Sequence, residues 1–130
     1  MNANWTGWAI AVSSLGLLAG CGDPIVGTWN EATPDCSTPS TFTVDDDLKG
    51  KATIYVDTQG CQSCTFDFEV EDEGDGKYSG PITVTDPTCA SFCGTTGRAG
   101  CVLSDDEESA DCAVTAGPCS ESDTFVKVGD

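Results

Sequence analysis

The chain has 130 residues, with 22 Asp and Glu against five Lys and Arg, no His, and a formal net charge of -17. A surface this acidic repels phosphate backbones, which excludes nucleic acid as an electrostatic partner. Without His the usual general base is absent, and the many carboxylates are expected on turns and wet strand faces rather than in apolar settings, so the chain reads as a non-enzyme. Neither a phosphate-binding loop nor a nucleophile elbow is present in the sequence.

Residues 1–20 carry no ionisable side chain, and Trp8 to Ala19 form the long apolar stretch of the chain. It falls short of the about 20 apolar residues a spanning helix needs, is broken by Ser13, Ser14 and Gly16, and ends in small residues as a cleavage region does. It closes on Leu18-Ala19-Gly20-Cys21, which resembles the lipobox of bacterial lipoproteins. The resemblance implies a signal peptide over 1–20, a covalent lipid on Cys21, and attachment to a membrane outside the cytoplasm. By resemblance to the sorting pattern of enteric lipoproteins, Gly22 rather than Asp after the cysteine implies the outer membrane.

Cysteine parity points the same way. Of nine cysteines, assigning Cys21 to lipid leaves Cys36, Cys61, Cys64, Cys89, Cys93, Cys101, Cys112 and Cys119, an even set suited to disulfides in an oxidising compartment. Their connectivity is left open. On this reading residues 21–26 are a lipidated anchor and tether, and 27–130 a single disulfide-rich β domain.

A first strand is expected over Gly27 to Glu31. Its Gly27-Thr28-Trp29 resembles the opening of lipocalin-like barrels, which implies a Trp closing the barrel base with an Arg of the last strand over it. Here the last strand offers Lys127. Residues 32–40 read as a linker. A hairpin follows, from Thr41 to Val44 through Asp45-Asp46-Asp47-Leu48-Lys49-Gly50 into Lys51 to Asp57, with Ala52, Ile54 and Val56 on one face.

The clearest pattern begins at Cys64. Cys64, Phe66, Phe68 and Val70 alternate with Thr65, Asp67, Glu69 and Glu71, the period of a half-buried antiparallel strand. Gly74-Asp75-Gly76 turns the chain, and Tyr78, Ile82 and Val84 return inward. Pro87 to Gly100 reads as a cysteine-rich loop with Phe92 and Arg98 exposed, and further strands are expected at Ala99 to Ser104, Asp111 to Thr115 and Asp123 to Val128. No helical period is evident. The expected fold is all-β: a small antiparallel barrel or sandwich of seven to eight short strands.

Three motifs could carry chemistry. Cys61-Gln62-Ser63-Cys64 has redox spacing, but its acidic surroundings raise a thiol pKa, so structural bridging is favoured. The same pair with Cys89 and Cys93 could form a tetrahedral zinc set, which the even cysteine count disfavours. The acidic turns Asp45 to Asp47, Glu71 to Gly76 and Asp105 to Glu108 suit weak calcium binding, though position twelve from Glu71 is Ile82 where an EF-hand has Glu. The expectation is therefore a monomeric outer-membrane lipoprotein without a resident cofactor or metal. Its β domain would bind a small apolar ligand or a protein partner; a structural envelope protein and a disulfide-stapled inhibitor or adhesin are the alternatives.

Overall fold

The computed structural model describes residues 22–129. Its strands are β1 (Gly27–Glu31), β2 (Thr41–Val44), β3 (Lys49–Val56), β4 (Gln62–Glu69), β5 (Glu71–Gly74), β6 (Lys77–Val84), β7 (Thr96–Leu103), β8 (Ser109–Ala116) and β9 (Cys119–Gly129). A helix, α1 (Pro87–Cys93), joins β6 to β7. Neighbouring strands pair in the order β4-β3-β2-β1-β9-β8-β7-β6-β5, and β4 also pairs with β6. That last pairing closes an eight-stranded antiparallel barrel and leaves β5 as an extra strand on β6.

Alternation builds the wall. Phe42 and Val44 on β2, Ala52, Ile54 and Val56 on β3, and Tyr78, Ile82 and Val84 on β6 are all buried, while their neighbours face water or the rim. A barrel of this strand number has an interior that side chains can fill. Aromatics help to fill this one: Trp29, Phe42, Phe66, Tyr78 and Phe125 are buried, with Phe68 packed against them.

The hairpin register expected from the alternation is present, with Phe66 opposite Val84, Phe68 opposite Ile82 and Glu71 opposite Ser79. Between those pairs the ladder opens. Pro81 has no N–H to donate, and the Val70 N–H turns away to Leu48 O at 2.9 Å. Gly80 faces this break, where a Cβ would lie 1.9 Å from Glu69 O. The hairpin is thus split into β4, which closes the barrel, and β5, which overhangs it. Phe68, expected to be buried, is half-buried, and Asp67 is drawn into an ion pair with Lys51 Nζ at 2.9 Å.

One helix was not expected. Asp86 accepts from Thr88 N at 2.9 Å and from Cys89 N at 3.4 Å, and Pro87 occupies the first turn, where its missing N–H costs nothing. Cys89 and Cys93, four residues apart, lie on its buried face. Phe92, expected to be exposed, packs against the core.

The antiparallel order sorts the connections into two ends. The 32–40, 57–61, 85–95 and 117–118 connections lie at one, here the upper end. The 45–48, 75–76 and 104–108 turns lie at the lower end together with residues 22–26. All three acidic turns therefore surround the point where the chain enters the fold.

Candidate functional site

The lower end is plugged by the N-terminal stretch. Trp29, fully buried, donates from Nε1 to Ile25 O at 2.9 Å and stacks on Phe42 with ring centroids 5.8 Å apart. Lys127 on β9 places Nζ 5.7 Å from the centroid of the Trp29 ring and donates to Pro24 O at 2.9 Å. Tyr78 donates to Asp23 Oδ1 at 3.3 Å, and burial, with Asp23 and Asp72 adding to it, raises its phenol well above the usual range. Residues 23–26, assigned above to the tether, thus belong to the folded unit. Cys21 and residues 1–20, expected to be a signal peptide, lie outside the described residues.

The barrel interior is nearly filled. A cavity of about 60 Å³ lies between Ile54, Phe66, Phe68 and Phe125, with Glu121 and Asp123 on its β9 wall. A second, of about 30 Å³, lies higher, below Cys93 and Cys119. Pockets for organic ligands span about 300 to 1,000 Å³, so these voids have room for water and little more. An open depression on the outer wall passes Thr33, Lys77, Val102, Asp111, Ser122 and Thr124.

At the upper mouth the inward face of β9 is acidic. Glu121 and Asp123 point into the wall, and Glu31 at the end of β1 is 9% exposed. Carboxylate oxygens of Glu31, Asp35 and Asp123 come within 4.8 Å of one another. Glu31 Oε1 accepts from Ser40 N at 3.0 Å; Ser40 Oγ, fully buried, accepts from Tyr55 N at 2.9 Å. Burial, followed by the charge of Glu31 and a hydrogen bond to it, pushes Asp123 up to about 6. Burial and the charges of Asp57, Glu31 and Asp35 raise Glu121 as well. The sequence reading missed this cluster because it began the last strand at Asp123. Extending the alternation upward through Glu121 and Cys119 places both acids on the face of Phe125.

The eight cysteines other than Cys21 pair as Cys36–Cys61, Cys64–Cys89, Cys93–Cys119 and Cys101–Cys112. Cys61 and Cys64 have different partners, and the four thiols considered for zinc are divided among three bridges. Three of the four bridges lace the upper end: one pins segment 32–40 to the turn after β3, and two pin α1 to β4 and β9. The fourth crosses the β7–β8 ladder, where Cys101 and Cys112 are direct partners. In the acidic turns, Asp45, Asp72 and Asp106 accept from backbone N–H groups of their own turns. Those oxygens shape the loops. No family model, no curated protein and no solved structure matches the chain.

Proposed function

We propose that this chain is an outer-membrane lipoprotein whose barrel is a non-catalytic binding module for a protein partner, held by lipid on Cys21. The observation that carries this reading is the fastening of the N-terminal stretch. Asp23, Pro24 and Ile25 are tied to the lower end through Tyr78, Lys127 and Trp29. Cys21 precedes Asp23 by two residues, so a lipid there brings the lower end to the membrane surface with almost no free tether. The laced upper end then faces away, with α1 held rigid by Cys64–Cys89 and Cys93–Cys119, and a preorganised surface binds at a lower entropic cost.

The filled interior weighs against carriage of a small apolar ligand, the other half of the sequence expectation. Lysine over Trp29 supports the lipocalin-like resemblance in the position where that family has Arg. The acidic lower rim repels anionic headgroups and favours a barrel that stands upright on its anchor.

Intact-mass analysis of membrane-extracted protein tests the anchor: the expected species begins at Cys21 and carries acyl chains. Cys21→Ser should abolish detergent partitioning and leave the folded domain unchanged. Recovery of unmodified Met1 to Asp130 from membranes overturns the reading. A fluorescent fatty-acid probe should not bind the folded barrel; micromolar binding restores ligand carriage over the protein-partner reading.

A further inference from the structure

Segment 32–40 crosses the upper mouth, with Cys36 at its centre bonded to Cys61. On either side of that bridge it is held by a few hydrogen bonds: Ala32 N to Thr124 O at 2.8 Å, Ser40 N to Glu31 Oε1 at 3.0 Å, and Glu31 N to Ser40 O at 2.8 Å. The buried Glu31 carboxylate is therefore the hinge pin of the segment, and its neighbours are Asp123 and Asp35.

We propose that Asp123, with Glu31 and Asp35 beside it, works as a proton-controlled clasp, closing segment 32–40 over the barrel mouth while Asp123 holds a proton and loosening it once that proton leaves. With one proton on Asp123, its O–H donates to Glu31 and the pair carries a single charge. Once that proton leaves, like charges face each other within 4.8 Å in a half-buried site. Asp35 is already exposed, so relief comes from releasing the Glu31–Ser40 contact and letting the Glu31 carboxylate turn toward water.

The charged groups around the clasp are almost all negative. β1 contributes Glu31, the segment Asp35, β9 Glu121, and the turn after β3 Asp57. β8 contributes Asp111, whose Oδ1 accepts from Thr124 Oγ1 at 2.7 Å on the outer face. Glu73 and Lys77 stand across the outer depression, and Lys77 lies three strands away. Lys127, also on β9, is engaged at Trp29 and Pro24. The folded value of Asp123, about 6, lies above its ordinary 3.8. Its contribution is thus fully present below the ordinary value and is lost as pH rises through the folded one.

Amide exchange measured by NMR on the full chain in detergent, with EDTA present, tests the clasp. After correction for intrinsic exchange, protection at Ala32, Ser40 and Tyr55 should fall roughly fivefold to tenfold between pH 5 and 7.5. In Asp123→Asn it should hold its acid level at both pH values. Glu108→Gln, on a lower turn, should follow the wild type and so separate the clasp from general charge repulsion. Equal pH responses in wild type and Asp123→Asn overturn the proposal. Should Asp123→Asn not fold, carboxyl ¹³C titration of the wild type decides: a midpoint for Asp123 near 6 supports the clasp, and an ordinary Asp value refutes it.

Discussion

Phe68 lies directly opposite Gly50 across the β3–β4 ladder, and its ring occupies the space a side chain at position 50 would need. A Cβ on Gly50 would sit 2.5 Å from the Phe68 ring and 1.9 Å from Thr43 O. An aromatic folded over a strand glycine covers backbone that would otherwise be exposed, and it fixes the register of both strands.

This contact makes substitutions on the two strands unequal. Gly50→Ala should destabilise by about 1 to 3 kcal/mol through overpacking. Phe66→Ala, at a buried position, should cost about 3 to 5 kcal/mol, and the half-buried Phe68 less than that. Glu69→Ala should stay within about 0.5 kcal/mol of wild type. Urea denaturation of the four variants gives the ranking, and a neutral Gly50→Ala would show that Phe68 does not occupy this site.

The cation over Trp29 should be measurable by itself. Lys127→Met keeps the aliphatic stem but loses the ring contact and the bond to Pro24 O, with an expected loss of about 1 to 2 kcal/mol. Lys127→Arg should retain most of the stability. A negligible loss in Lys127→Met would mean that stem packing, rather than charge, holds the plug.

Limiting reductant should open the bridges in order of access. Cys64 and Cys89 are both buried, whereas Cys61 is exposed and Cys101 and Cys112 are half-buried. Attack on sulfur requires access, and Cys101–Cys112 closes a short loop with a sequence separation of 11. Alkylation and peptide mapping should therefore find Cys36–Cys61 and Cys101–Cys112 labelled before Cys64–Cys89. Early labelling at Cys89 would contradict the placement of α1 over the upper end.

Tyr78 provides an alkaline signature. Burial and the nearby Asp23 and Asp72 keep its phenol protonated in the fold, so its folded value lies above the ordinary one of 10.0. The stability this contributes is complete below the ordinary value and falls as pH climbs past it. Ultraviolet titration should show the Tyr78 phenolate appearing only together with unfolding. Tyr78→Phe should delay alkaline unfolding.

How far the sequence specifies these features depends on their range. β1 runs from Gly27 to Glu31 as read from the residues alone, and the 64–84 hairpin has the register its alternation demands, because a slip of one residue would bury Asp67 and Glu69. Helix α1 escaped because seven residues with two cysteines and one Phe show no clear period; its trace was the Asp86-Pro87 cap. The Glu31–Asp123 cluster joins residues 92 positions apart and required β9 to be extended upward. Closure of β4 on β6 and the pairing of the cysteines are long-range outcomes that no local pattern encodes.

The overhanging β5 has a consequence for copies of the chain held close together. It is the strand left outside the closed cylinder, bonded to β6 on one side, and Glu71, Asp72 and Glu73 are all exposed along it. An open strand edge invites a second copy to continue the sheet, and confinement to a plane would raise the frequency of such meetings. Like charges brought face to face on two copies oppose that contact. The hairpin split at Gly80 and Pro81 thus leaves its loose end in a form that resists polymerisation.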